Sequence, residues 1–227
     1  MSIACNCNDP APRVCWRRVV QEDGPIPGRD KAIAEFLEAA GIDPQVTRDS
    51  LDIDAVLQQW RRRVNKRELA GAALQALGLD QEIDLAQFDV LIAIAAPGNE
   101  FGADSGDETM VSTVAARLRI DPSRASRLVS DLIGKGLARR AVSQQDARRT
   151  IVELTGRGHA IVDAVRRFKF LVMGEFLTGW TEEERRVFVP LLERFVSWTG
   201  EAYRMGPDRF SGEIAQIARE LALTEAS

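Results

Sequence analysis

Apolar positions recur at helical spacing along most of the chain, and the pattern gives way to short β-prone runs in one region. Ile33, Phe36 and Leu37 predict a short helix over 30–40, ended by Gly41. Asp43-Pro44 marks a turn. Ile53, Val56, Leu57, Trp60 and Val64 predict one long helix, or two in line, over 50–77, interrupted at Gly71 and stopped at Gly78. The 84–96 stretch carries Leu85, Phe88, Val90, Leu91, Ile92 and Ile94. A helix apolar all round is a buried one. A glycine-rich acidic loop follows over 99–107.

The next segment is the most informative. A short helix is expected over 109–118, with Ser105 and Glu108 spaced as a capping box. Asp121 then suits an N-cap and Pro122 the first helical position. Leu128, Val129, Leu132 and Ile133 give the second helix its apolar face, and Gly134 and Gly136 end it. Residues 137–142 and 150–154 read as strands joined by the polar loop 143–149, a hairpin signal. Helix, tight turn, helix and hairpin is the order of a winged helix-turn-helix.

Beyond the hairpin, Ile161, Val165, Phe168, Val172 and Phe176 predict a long helix over 158–177. Thr181 and Glu184 form a capping box for a helix running to Tyr203, with Pro190 expected to kink it. A break is expected over 205–209. Ile214, Ile217, Ala218 and Leu221 then predict a short final helix.

Charge sharpens this picture. The chain of 227 residues has a formal net charge of −4 and an isoelectric point near 5.3, which taken alone argues against a nucleic-acid binder. The segment 115–150 reverses that argument. It holds Arg117, Arg119, Arg124, Arg127, Lys135, Arg139, Arg140, Arg148 and Arg149 against Asp121, Asp131 and Asp146. A basic lobe on an acidic body is the footprint of a protein that meets phosphate on one face.

The stretch also resembles the MarR family of bacterial transcription regulators. The matching pieces are Val114-Ala115-Ala116-Arg117-Leu118, the run from Asp121 to Val129, Lys135-Gly136-Leu137, Asp146-Ala147-Arg148-Arg149, and Leu154-Thr155-Gly156-Arg157-Gly158. The match is sharp over 84–165 and looser over 50–204. It implies a mainly α fold with a small β-hairpin wing. A winged helix-turn-helix DNA-binding lobe (84–155) would lie between N-terminal helices (30–83) and C-terminal helices (156–227). The first ~50 residues have no counterpart in the resemblance, and residues 1–29, proline-rich and with little periodicity, read as a disordered arm. The two ends would build a helical dimerisation region, and the first helix of the shared fold would also wall a ligand pocket. The expected partners are a palindromic double-stranded operator, a second copy of the chain, and a small aromatic acid or phenolic effector that releases a repressor.

Within that frame Ser123, Arg124, Ser126 and Arg127 are the candidate groove-reading residues. A helix fits the major groove, where a guanidinium can fork onto guanine O6 and N7 or grip phosphate. Arg148 and Arg149 are the wing candidates for the minor groove or its flanking phosphates, with Asp146 holding an arginine's direction. Trp60, Arg63 and Phe88 are candidate effector contacts, although an aromatic on an apolar face is more often core.

Other chemistries find less support. His159 is the sole histidine, and no phosphate-binding glycine loop or dinucleotide fingerprint occurs, so no catalytic residues, metal or cofactor are expected. Cys5, Cys7 and Cys15 in the arm leave open a thiol-based redox-sensing repressor, and a non-DNA interaction scaffold is the reading from another class. No apolar run reaches the roughly 20 residues of a membrane helix, and no secretory leader is evident, so a cytoplasmic protein is expected.

Overall fold

The computed structural model describes residues 28–96 and 108–224. The three cysteines, Ser105 and the acidic loop 99–107 lie outside them. The described elements are α1 (Gly28–Ala39), α2 (Pro44–Lys66), α3 (Glu68–Ala76), α4 (Leu85–Ala95), α5 (Val111–Leu118), α6 (Pro122–Gly134), β1 (Ala138–Val142), β2 (Thr150–Leu154), α7 (Gly156–Thr178), α8 (Glu182–Arg209) and α9 (Ser211–Thr224). The fold is thus mainly helical with one antiparallel hairpin. Its register pairs Ala138 with Leu154 and Val142 with Thr150. The described residues divide into two units, one of 28–56 with 209–224 and the other of 57–96 with 108–208.

In the first unit, α2 begins earlier than the apolar spacing suggested. Pro44 is its first residue, and Asp43 Oδ1 accepts from the Gln45 and Val46 N–H groups at 2.8 and 3.3 Å. The Asp-Pro pair is therefore a helix start, since proline lacks a donor where none is needed. Ala34 and Thr47 are buried, whereas Ile33, Val46, Ile53, Val56, Ile214, Ile217, Leu221 and Leu223 are exposed.

The second unit has its core where α4, α5, α6, the hairpin and the first half of α7 meet. Val90, Leu91, Val114, Val129, Leu132, Leu137 and Ile161 are almost fully excluded from solvent. The interruption between α2 and α3 falls at Arg67, not at Gly71. Arg67 takes a left-handed backbone (φ 55°), and its guanidinium donates to the Leu85 carbonyl (3.2 Å) and pairs with Asp89 on α4. These partners are about twenty residues away, so the local pattern carries no trace of them. Residues 182–209 form one helix, and the break expected at 205–209 falls instead at Phe210. Thr181 and Glu184 cap that helix reciprocally, with Glu184 N–H to Thr181 Oγ1 at 3.1 Å and Thr181 N–H to Glu184 Oε2 at 2.7 Å.

Two glycines tie the hairpin to α7. Gly136 has φ 70°, a conformation that costs a residue with a Cβ, and it turns the chain from α6 into β1. The Thr155 N–H then bonds the Leu137 carbonyl (3.0 Å), and its hydroxyl bonds the Gly136 carbonyl (2.8 Å) while accepting from Gly158 N–H (3.2 Å). Gly158 lies so close to the residue that leads into β1 that a Cβ there would sit 2.1 Å from the Leu137 carbonyl oxygen. The Lys-Gly-Leu and Leu-Thr-x-x-Gly motifs occur together because they touch.

Candidate nucleic-acid interface

Asp121 builds the start of α6. Its Oδ1 accepts from the Ser123 N–H (2.8 Å), the Arg124 N–H (3.2 Å) and the Ser123 hydroxyl. The Ser123 hydroxyl and these backbone donors, with the charge of Arg127, hold the Asp121 carboxyl below its ordinary range. The Ser123 proton is therefore already committed to the cap. Arg124, Ser126 and Arg127 are exposed, while Ala125, Val129 and Leu132 point into the core. One helix thus presents a buried face and a cationic face.

The wing is shaped by polar contacts. Asp146 Oδ1 accepts from the Arg148 N–H (3.0 Å), and its other oxygen lies 3.3 Å from Arg149 Nε. The Ser143 N–H closes the loop on the Arg149 carbonyl (3.0 Å). Arg148 and Arg149 are both exposed, and the Arg149 guanidinium is the one paired with Asp146.

Not every basic residue of the segment is available. Arg139 is spent on its cross-strand neighbour Glu153 (2.8 Å). Lys135 reaches back to the Glu82 carbonyl and to Gln87 Oε1, the latter at 2.9 Å. Arg117 is half-buried and bonds the Ala93 carbonyl (2.8 Å) and Thr109 Oγ1 (2.9 Å). Just past the wing, Arg157 pairs with Glu82 (2.6 Å), which raises its proton affinity. Among the described residues, the guanidinium groups of Arg119, Arg124, Arg127, Arg140 and Arg148 have no hydrogen-bond or ion-pair partner, and all are exposed. Sequence reasoning counted Arg119 and Arg140 in the basic excess without singling them out. Their freedom follows from where the opposing carboxylates fall, which periodicity does not report.

Glu108 departs from its expected role as a helix cap. α5 begins at Val111, and Thr113 Oγ1 accepts from the Met110 N–H (3.4 Å) at its start. Glu108 instead accepts from the Ser143 hydroxyl and from the Gln144 N–H (2.6 Å) at the root of the wing. It borders a cavity of about 180 Å³ lined also by Met110, Thr113, Arg117, Gln145 and Arg149.

The candidate effector residues are scattered in character. Phe88 is core, at 6% exposure, whereas Trp60 is 63% exposed on α2 and Arg63 is exposed one turn beyond. An open depression of about 510 Å³ on α7 is lined by Asp163, Arg166, Arg167, Phe170 and Leu171 and contains none of them. No group of three or more potential metal ligands occurs among the described residues. No described helix is long and apolar enough to cross a membrane.

A lobe of this order, with a capped second helix, a hairpin wing and long flanking helices, defines a winged helix protein. Comparison with solved structures agrees. The chain is similar to a MarR family protein from Bacillus stearothermophilus (TM-score 0.53, 18% identity, 67% of this chain and 96% of that one). It is similar to RV1404 from Mycobacterium tuberculosis (TM-score 0.51, 22% identity, 66% and 95%) and to the MarR family transcription regulator SP03579 (TM-score 0.50, 18% identity, 69% and 98%). Its fold is the winged helix fold of MarR-family regulators. Among curated proteins it matches the uncharacterized HTH-type transcriptional regulator YdgJ of Bacillus subtilis (strain 168), at 31% identity over 88 residues, 39% of this chain. The chain spans about half the length of that relative (54%). No family model matches.

Proposed function

We propose that this chain is a MarR-type transcription regulator that grips duplex DNA as a homodimer, with α6 in the major groove and the wing on adjacent backbone. The observation that carries the reading is the set of exposed guanidiniums at Arg124, Arg127 and Arg148, on α6 and the wing of an otherwise acidic chain, which among the described residues have no hydrogen-bond or ion-pair partner. Arg124, Ser126 and Arg127 would meet base edges or phosphate, and the Ser123 oxygen, whose proton goes to Asp121, would accept from a base amino group. Arg148, together with Arg149 steadied by Asp146, would hold backbone or minor groove.

Dimerisation is supported by the apolar side chains left in water within each unit. In the second unit these include Leu171, Val172, Val189, Leu192, Val196 and Trp198 on α7 and α8. Patches of this kind mark interaction surfaces. Two lobes about 34–36 Å apart would meet successive turns of a palindrome. A small aromatic acid or phenol would act as the effector of a repressor, with Trp60 stacking on the ring and Arg63 pairing its charge. It would release DNA by favouring a dimer whose lobes are wrongly spaced, to the extent that it binds that state better.

The test is a comparison of arginine variants across a panel of duplexes. Arg124→Ala or Arg127→Ala is expected to relax preference at the base pairs read, by about 1–3 kcal/mol. Arg148→Ala is expected to weaken all sequences alike and to flatten the salt dependence by about one unit of slope. Identical behaviour of the variants, or no duplex binding by the parent protein, would contradict the reading.

A further inference from the structure

A carboxylate at the root of a DNA-binding wing is electrostatically out of place. Glu108 repels phosphate, yet it sits where the wing leaves β1 and makes contacts across 35 residues of sequence. Its oxygens accept hydrogen bonds from the Ser143 hydroxyl and from the Gln144 N–H (2.6 Å). Ser143 is buried, and its oxygen in turn accepts from the Gln145 N–H (3.1 Å) and the Asp146 N–H (2.9 Å). The hydroxyl thus uses its one proton and both lone pairs. Three successive backbone donors of the wing, at residues 144, 145 and 146, are satisfied directly by Glu108 or by the Ser143 hydroxyl that it orients.

The anchor itself is fixed to the lobe. Thr109, the next residue, is buried, and its carbonyl accepts from the Val152 N–H on β2 (2.7 Å). Its hydroxyl is held by Arg117, which also bonds the Ala93 carbonyl at the end of α4. A line of contacts therefore runs from α4 through Arg117 and Thr109 to Glu108, and from there to the loop that carries Asp146, Arg148 and Arg149. We propose that Glu108 is a positioning residue for DNA binding. Through Ser143 it holds the wing in the one conformation that aims Arg148 and Arg149, and it does so despite the repulsion its charge adds. The proposal rests on the DNA-binding reading above, and one arm of its test needs no DNA.

The experiment uses the full chain with Glu108→Ala and, as a variant with no change of charge, Ser143→Ala. Without DNA, both are expected to speed tryptic cleavage after Arg148 and Arg149 at least about fivefold, because the loop loses the bonds that order it. Cleavage at the parental rate overturns the proposal whether or not the protein binds DNA. With duplex, the two readings of Glu108 differ in sign. Charge alone predicts tighter binding by Glu108→Ala, whereas positioning predicts binding weaker by roughly tenfold, about one charge-assisted hydrogen bond. In an Arg148→Ala/Arg149→Ala background the same substitution is expected to change affinity less than about twofold, since contacts that are gone cannot be misaimed. Tighter binding by Glu108→Ala, or an undiminished loss in that background, overturns the proposal. Faster cleavage of the variants, with a parent protein that ignores DNA, would uphold the anchor but overturn its role in DNA binding, and would refute the DNA-binding reading separately.

Discussion

Replacing Gly158 by alanine isolates the contact that joins the hairpin to α7. The added Cβ would lie 2.1 Å from the Leu137 carbonyl oxygen and 3.2 Å from its carbon. A carbon and an oxygen approach to about 3.3 Å even in favourable contacts, so the two segments must part by roughly an ångström. That oxygen also accepts from the Thr155 N–H at 3.0 Å, so moving it strains the bond that starts the helix. Overpacking of this kind costs about 1–3 kcal/mol. For a chain of this size that lowers the melting temperature by roughly 2–12 °C. Gly156, in the same helical turn, is the control. A Cβ there meets nothing within 4 Å, so Gly156→Ala is expected to be neutral or to stabilise by up to about 1 kcal/mol. Thermal unfolding followed by circular dichroism measures both. Equal melting temperatures for the two variants would refute the packing argument.

Two further predictions concern the cap and the apolar faces. The Asp121 carboxyl titrates below its ordinary range, so its contribution to stability is full above the unfolded-state value and is lost as pH falls through the folded one. Asp121→Asn should therefore flatten the acid limb of the stability–pH curve. A limb identical to the parent's in urea unfolding from pH 7 to 3 would contradict this. Leu192 and Val196 are exposed four residues apart on one face of α8, and Leu192→Glu/Val196→Glu should convert the proposed dimer to monomer by light scattering while the lobe still unfolds cooperatively. A dimer that survives both charges would remove α8 from the interface.

The lobe was legible because its devices are local. Asp121 with Pro122, Gly136 after the apolar face of α6, and the wing's Asp146 each act within a few residues of the position that needs them. What escaped the sequence depends on partners far along the chain. Arg67 breaks α2 from α3 through contacts with Leu85 and Asp89, while Gly71, which locally looked the better breaker, sits inside α3. Glu108 has the spacing of a cap residue but is drawn to Ser143 and Gln144. Of the basic residues in the lobe, Lys135 and Arg139 are taken up by Glu82, Gln87 and Glu153, so a charge count overstated what is free to meet phosphate. Phe88 illustrates the opposite failure. Its helix was expected to be buried, and that burial sets it apart from the exposed Trp60 and Arg63 with which it was grouped.

If paired cationic lobes hold one duplex, binding must weaken steeply as salt is added. Each phosphate neutralised adds about 0.9 to the slope of log affinity against log salt on B-form DNA. Fluorescence anisotropy with a labelled duplex between 50 and 200 mM salt should show affinity falling by about 100-fold or more, with a saturation stoichiometry of two chains per duplex. A flat salt dependence, or no binding even in dilute buffer, would contradict the account.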